Sequence, residues 1–556
     1  MEAGGATGES TAFGAATLGA ATGGVEPPPP AMAAGTATKA KAATARIPPA
    51  AARLLPKFVP PVGFRRTCTL RPLSRGVGAL VEGVRPWGVG RAKPPGLPQG
   101  KVRTAAQLLR NPDMLAHLST FDTQHTDLLH WQVGFQRFFA SRSPAHVEHV
   151  LIGGHDTYRK ATHFRLIAAV TGEGLLTAEG EDWARNRRLI QPIFAKRHLD
   201  ALVPHMTSAT AEFLDRWQQR PHGDTLDVAA AMSEVTLDVV GRALFGATLS
   251  DVADRLRPAV VVGLRTGVAA ARLQLLLALP RWMVNLGGWL LYNVPFVPPP
   301  LSGIRRSMHT IDDVVRGVID ARSSAGGEGD LLDLLLAARD EHGGALSPTQ
   351  VRDEVVTLVL AGHETTANGL AWLWYLLAQN PEVRERLEQE VDDVLGGRTP
   401  TAADAERLVW TTACFQEAMR LYPPAWVLER EAAADDELDG YRIPKRSTVI
   451  FPVILIHRDP RWWPNPEAFD PARFLGERAA QSHRGAYLPF GAGRRACVGA
   501  NFALMEGTLI AAMLAQRFAL DLVDGAPVQP EATVTLRPRH GLPMKMRRRK
   551  ALVQRY

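Results

Sequence analysis

A mainly α-helical fold with a small β portion is what this sequence predicts, and three observations carry the prediction. One stretch of about 30 residues, from Pro348 to about Ala378, is apolar on almost every side in its middle, the mark of a helix buried through a domain. Segments of helical period outnumber strand-like runs, and no internal repeat is visible. An apolar fraction of 46% in 556 residues is ample for one large core.

Residues 1–60 are dominated by Ala, Gly, Thr and Pro, with a proline run at Pro27–Pro30. Such a segment buries too little apolar surface to offset its ordering entropy. A flexible, then basic, extension is expected over 1–91; its scarcity of acidic residues leaves an organelle transit peptide as a second reading. At about Arg91 the character changes, PPGLP (Pro94–Pro98) is turn chemistry, and a single catalytic-sized domain is expected over 92–545, followed by a basic tail, 546–556. Helices are expected at 181–196, 204–220, 225–245, 309–321, 381–395, 404–421 and 498–517, besides the long one. For that one, Ser347 can cap the start, Pro348 suits the first turn and Asn380-Pro381 ends it. Its length at 1.5 Å per residue is roughly 45 Å, a whole domain across. Strands are expected at 441–444, 447–453 and 533–538.

The formal charge is +8, but residues 1–93 hold 12 Lys/Arg against 4 Asp/Glu, and residues 537–556 add 8 basic residues and no acidic ones. The body is therefore acidic, and the basic balance is poor evidence for nucleic-acid binding. Solvated tails are the plain reading; weak attraction to an anionic membrane or another polyanion is the other. Three dispersed cysteines, Cys68, Cys414 and Cys497, cannot build a disulfide framework and suit a reducing, cytoplasmic compartment. No run of 18 apolar residues occurs, so no transmembrane anchor is expected; Leu273–Tyr292 comes nearest, with Pro280, Arg281 and Asn285 interrupting it.

The chemistry concentrates in LPFGAGRRACVGANFALMEG, Leu488–Gly507. Phe490, Gly493, Cys497 and Gly499 satisfy F-x-x-G-x-x-x-C-x-G, which this composition would produce by chance on the order of 10⁻³ times. Glycines allow close backbone approach to a flat ligand and positive φ. A cysteine just ahead of a helix is stabilised as thiolate by the helix N-terminus. A Gly-rich phosphate loop is the rival, but neither a GK[ST] ending nor GxGxxG spacing is present; a buried structural cysteine is the other.

The stretch resembles the haem-binding loop of the cytochrome P-450 superfamily, and other motifs of that family follow in the right order. The resemblance covers roughly 92–545 and implies a P-450 fold with haem b (iron protoporphyrin IX) between the long helix and the helix after the cysteine. It implies Cys497 as axial ligand of the iron, Phe490 beside the sulfur, and Arg495 paired with a haem propionate. AGHETT (Ala361–Thr366) resembles the family's A-G-x-[DE]-T groove, with Thr365 bonding bound dioxygen and Glu364 relaying protons from water; on its own the segment reads first as a salt-bridged Glu and a back-bonded Thr. Small Ala361 and Gly362 leave room for a ligand, and His363 takes no role. Glu417 and Arg420 resemble the family's E-x-x-R pair, joined by Arg473 of DPARF, a structural network supporting the cysteine loop. EDWARNRRLIQPIF (181–194) resembles the W-x-x-x-R helix, which implies that Trp183 and Arg187 bond propionates; Arg430 matches a further propionate position.

What the resemblance implies is a monooxygenase that uses dioxygen to hydroxylate or epoxidise a lipophilic small molecule such as a terpenoid, fatty acid or sterol. Ala361, Thr365, Val427 and Leu428 are its pocket candidates, with residues near 160–180 and 260–290. No flavin or nicotinamide segment follows Cys497 and no spare cysteines could hold an iron–sulfur cluster, so a separate electron donor of ferredoxin or flavodoxin type, or a reductase, is expected. Arg185, Arg188, Lys196, Arg197 and Arg494 are the candidates to receive it. A peroxygenase, isomerase or dehydratase needing no reductase, and a non-catalytic haem protein, are the alternatives.

Overall fold

The computed structural model describes residues 127–549, apart from 134–135, 155, 162–163, 326–328, 481–482, 484, 526 and most of 247–300, and also Leu115. The expected N-terminal extension, PPGLP, Cys68, residues 550–556 and nearly all of the apolar 273–292 stretch lie outside the described residues.

Eight helices of more than ten residues carry the fold among the described residues: α1 (Gly180–Ile190), α2 (Lys196–Gln218), α3 (Val228–Phe245), α4 (Leu301–Ala325), α5 (Pro348–Gln379), α6 (Pro381–Leu395), α7 (Val409–Leu421) and α8 (Ala500–Arg517). The expected long helix is α5, and its local chemistry explains both ends. Ser347 Oγ accepts from Gln350 N at 3.2 Å while Gln350 Oε1 accepts from Ser347 N at 2.9 Å, a reciprocal capping box. Asn380 closes α5 and, with Pro381 at the first position, opens α6.

Elsewhere the elements differ from expectation for identifiable reasons. The helix expected over 181–196 stops at Ile190, because Pro192 turns Gln191–Phe194 into a 3-10 segment and Ala195 is extended. α2 then starts at Lys196, before the expected 204, and contains Pro204; ten buried side chains, among them Leu202, Met206 and Phe213, hold it to the core despite the missing donor. Thr225–Asp227, expected as helix, is a strand, and Asp227 caps α3 by accepting from Ala229 N and Ala230 N. The helix over 404–421 divides at Leu408 into Ala402–Arg407 and α7.

α5 packs against α3, α7, α8 and α4. Its residues Trp372 and Trp374 are among the largest fully buried side chains. The α7 residue Phe415 is wedged between α5 and α8: a Cβ at Gly369 would lie 2.8 Å from its ring, and one at Gly507 would lie 2.2 Å from it. Three helices thus approach closely because two positions lack a side chain.

Strands β1 (Leu128–Val133), β2 (Gln136–Ser141), β3 (Tyr158–Arg159), β4 (Thr225–Asp227), β5 (Leu428–Ala432), β6 (Asp436–Leu438), β7 (Tyr441–Ile443), β8 (Thr448–Phe451), β9 (Phe518–Leu522), β10 (Pro530–Ala532), β11 (Leu536–Pro538) and β12 (Pro543–Arg548) form the β portion. The main sheet has the order β1-β2-β8-β5-β3, antiparallel except for β2–β8. A second sheet runs β4-β12-β9, and β6–β7 and β10–β11 are two-stranded ribbons. The expected strands at 441–444, 447–453 and 533–538 appear as β7, β8 and β11. The expected start of a basic tail at 546 falls inside β12, where Met546, Arg547 and Arg548 pair with β9. Its charges are not merely solvated: Arg547 pairs with Asp521, and Arg549 Nη2 lies 2.7 Å from Asp392.

Where α5 meets α1, Glu354 is fully buried, accepting from Leu175 N at 3.0 Å and Asn186 Nδ2 at 3.1 Å. Burial pushes its carboxyl from 4.5 to about 7, against the pull of those two donors. The folded state therefore keeps a proton between these values that the unfolded chain has lost. Stability from this group is fully present below about pH 4.5 and falls as pH rises through 7, by about 3 kcal/mol. Glu354→Gln should remove that loss, its amide oxygen accepting from Leu175 N and its NH2 donating to Asn186 Oδ1 once the Asn186 amide turns over, an oxygen with no partner among the described residues. The melting temperature of Glu354→Gln relative to the parent should climb between pH 5 and pH 8; a constant difference contradicts this.

Candidate active site

Gly493 opens the cysteine loop in a conformation that requires glycine: φ is +70°, and a Cβ would lie 1.9 Å from the Leu151 carbonyl oxygen. Cys497 N donates to Phe490 O at 2.8 Å, closing the loop so that half-buried Phe490 packs on the main core. Gly499 has no positive φ, and its Cβ would meet the Phe194 ring only at 3.7 Å, so the polypeptide itself does not demand glycine there. Burial pushes the Cys497 thiol up, while the Gly499 N–H and the Arg187 guanidinium pull it down. Yet Cys497 is accessible to solvent. Both facts hold for a sulfur facing an internal space. Arg187 Nη1 donates to Ala496 O at 2.9 Å, which fastens α1 to the loop.

The loop is held from behind by the predicted carboxylate–arginine network. Glu417 and Arg420 are fully buried: Arg420 Nε and Nη2 donate to the carboxylate at 2.7 and 2.9 Å. The other guanidinium donors reach the carbonyls of His457 (2.7 Å), Pro466 (2.7 Å) and Ala468 (3.0 Å). Arg473 Nε and Asp470 N complete the carboxylate at 3.2 and 2.9 Å. The link onward is His457, which sequence reasoning missed. Its Nε2 accepts from Leu488 N at 2.7 Å, so Nδ1 carries the proton and donates to Arg420 O at 3.1 Å. Burial beside Arg420 lowers this imidazole to about 3, keeping it neutral.

In the middle of α5, which is mostly buried, Ala361 is exposed, and Glu364 and Thr365 are half-buried. Thr365 Oγ1 donates back to Ala361 O at 2.7 Å. The room expected at Gly362 belongs to the neighbouring helix instead, since a Cβ there would lie 3.2 Å from Val240 of α3. Among the described residues Glu364 has no salt bridge: its Oε1 accepts from Thr535 Oγ1 at 2.8 Å, and Thr535 accepts from Asn368 Nδ2 at 3.0 Å. Val427 and Leu428 are half-buried, and Leu428 approaches the position of a Gly491 Cβ to 4.0 Å.

Lys160, Arg430 and Arg495 form a cationic cluster whose shared carboxylate is Glu179, 3.2 Å from Arg495 Nη2. Burial and mutual repulsion push Lys160 well down and Arg430 to about 10; burial also lowers Arg495. The Arg495 guanidinium lies over the Trp183 ring at 4.3 Å. Arg187 stands apart from this cluster in its contacts, beside the sulfur. Lys160 was missed, because a single lysine in TYRKATHF looks like any surface lysine.

The sequence profile of the family described as Cytochrome P450 matches residues 94–544. This chain belongs to the cytochrome P450 family. Cytochrome P450 132 of Mycobacterium tuberculosis is 42% identical over 425 residues, 76% of this chain and 91% of that one. Cyclooctat-9-en-7-ol 5-monooxygenase of Streptomyces melanosporofaciens is 34% identical over 443 residues, 79% of this chain and 91% of that one. The crystal structure of the P450DA heme domain superimposes with a TM-score of 0.74 at 26% identity, covering 83% of this chain and 98% of that one. The protein is a P450 monooxygenase with haem b as cofactor. Its residues fit that group. An accessible cysteine in a half-buried loop, an exposed alanine in the mostly buried middle of a helix, and a cluster short of negative charge suit a flat ligand with an iron centre and an anionic edge.

Proposed function

We propose that this P450 hydroxylates or epoxidises a lipophilic small molecule of terpenoid, fatty-acid or sterol-like kind, with electrons from a separate NAD(P)H-linked protein. The observation that carries it is the exposure of Ala361 in the mostly buried middle of α5, beside half-buried Glu364 and Thr365. The named activity of the Streptomyces relative, a 5-monooxygenase of cyclooctat-9-en-7-ol, favours a cyclic, terpenoid-like substrate.

Bound haem supplies the oxidising chemistry, with one oxygen atom entering the substrate and the other leaving as water at the cost of two electrons and two protons. Cys497 would ligate its iron as thiolate, with Gly499 N–H and Arg187 offsetting the negative charge on sulfur. Lys160, Arg430 and Arg495 would hold its propionates, and Trp183 would fix the Arg495 plane. Thr365 and Glu364 would hold and pass protons, Thr365 with its hydroxyl aligned by Ala361 O and Glu364 through its carboxylate. Ala361, Val427 and Leu428 would form apolar pocket wall.

A ligand screen following the haem absorbance, then product analysis with a surrogate redox pair, tests this reading. Oxygenated product that requires NAD(P)H supports it; equal turnover with no reductase sinks the electron-donor half. Thr365→Ala should divert most reducing equivalents to free peroxide, a loss of productive proton delivery of about 10²-fold; unchanged coupling contradicts the role.

Two of the five cations expected to meet the donor are already paired, Arg185 with Asp340 and Lys196 with Asp200 and Glu406. Arg188, Arg197 and Arg494 are exposed, and among the described residues no carboxylate pairs with them. An acidic donor should therefore reduce the protein more slowly as salt rises and in Arg188→Glu/Arg197→Glu. Reduction rates indifferent to both refute this docking face.

A further inference from the structure

The proton-carrying residue of the proposed mechanism does not stand alone. Glu364 and Asn368 lie four apart on α5 and so share a face. Between them sits Thr535, from the turn joining β10 to β11, 171 residues away in sequence. Thr535 and Asn368 are buried, at 4% and 7% exposure, whereas Glu364 is half-buried.

The hydrogen-bond directions follow from the donors available. The Asn368 amide nitrogen can only donate, and it donates to Thr535 Oγ1. The single hydroxyl proton of Thr535 is thereby directed to Glu364 Oε1. Among the described residues Glu364 Oε2 has no protein partner.

The turn that presents this hydroxyl is fastened on every side. Thr533 N and Thr533 Oγ1 donate to Thr535 O at 3.0 and 2.9 Å. Trp426 Nε1 donates to Thr533 O at 3.1 Å, and Trp372 Nε1, on α5 itself, donates to Leu536 O at 3.0 Å. Leu536 N donates to Pro424 O at 3.0 Å. A threonine needed only for packing would not require two indole clamps around its backbone, nor an asparagine spent on its hydroxyl.

We propose that Thr535, oriented by Asn368, is a positioning residue for Glu364: it anchors Oε1 and leaves Oε2 as the oxygen that takes up and hands on protons. The proposal deepens the monooxygenase reading above and relies on its assignment of proton relay to Glu364. Thr535 touches neither substrate nor haem in this account; it acts through Glu364. Losing an anchored carboxylate geometry worth one charge-assisted hydrogen bond should change proton delivery about tenfold.

The test uses haem-loaded full-length protein carrying Thr535→Val, Thr535→Ser, Glu364→Gln and the Glu364→Gln/Thr535→Val pair. Melting temperature and the carbon monoxide spectrum establish that each is folded. With a surrogate ferredoxin and its reductase, the ratio of peroxide released to dioxygen fully reduced should rise about tenfold in Thr535→Val and little in Thr535→Ser. In the Glu364→Gln background, Thr535→Val should add nothing. Equal effects in both backgrounds overturn the proposal, because Thr535 would then act independently of Glu364. Infrared difference spectra provide a readout free of turnover: the Glu364 carboxylate band, assigned with Glu364→Gln, should shift in Thr535→Val and stay in Thr535→Ser. An unshifted band overturns the positioning role. A shifted band with no effect of Glu364→Gln on the peroxide ratio upholds the positioning while sinking the relay on which it builds.

Discussion

Glu417→Ala is expected to yield little or no folded, haem-loaded protein. The carboxylate it removes accepts from Arg420 Nε and Nη2, Arg473 Nε and Asp470 N. Two guanidinium groups and a backbone N–H would lose their partner, and Arg420 and Arg473 are almost wholly buried. Leaving buried charge uncompensated costs about 3–5 kcal/mol, a large part of the roughly 5–15 kcal/mol that separates folded from unfolded domains. The damage reaches the cysteine loop because His457 ties Arg420 O to Leu488 N. Recovered haem absorbance per milligram, with the unfolding midpoint of whatever survives, measures it. A Glu417→Ala protein that melts within a few degrees of the parent and holds stoichiometric haem contradicts this account of the network.

The second large effect is chemical and leaves the fold intact. Cys497→Ser should fold with a melting temperature near that of the parent, because serine differs from cysteine by a single atom and its oxygen can keep the bond from the Gly499 N–H. Oxygenation should nevertheless fall below detection. A serine hydroxyl stays protonated near neutrality and cannot push electron density toward the iron as thiolate does. Product analysis with the surrogate redox pair checks this. Oxygenation at a comparable rate in Cys497→Ser rules out Cys497 as ligand.

The parts of the fold legible in sequence are those written in adjacent residues. The ends of α5 follow from Ser347, Gln350, Asn380 and Pro381, all next to the ends they set. The cysteine loop was readable because Gly493 answers to a local backbone angle and a close neighbour. Strand β5, LEREA, lacks alternation and is a strand only because β8 and β3 flank it. β12 does alternate, burying Met544 and Met546, but its arginines made it look like a tail until Asp521 and Asp392 were placed beside them. The site divides in the same way. Glu364 and Thr365 stand in a motif, whereas Lys160, His457 and Thr535 owe their places to chain brought from far away. Gly362 shows the opposite error: a small residue in a motif was read as ligand space and turns out to accommodate Val240.

The central claim is a bond between the Cys497 sulfur and haem iron, and carbon monoxide reports on it directly. Purified, haem-supplied protein, reduced and exposed to the gas, should show the red-shifted Soret band of thiolate ligation, and Cys497→Ser should lose it while still binding haem. A parent protein whose carbon monoxide complex absorbs where histidine-ligated haem does, or a Cys497→Ser spectrum identical to the parent's, contradicts the account.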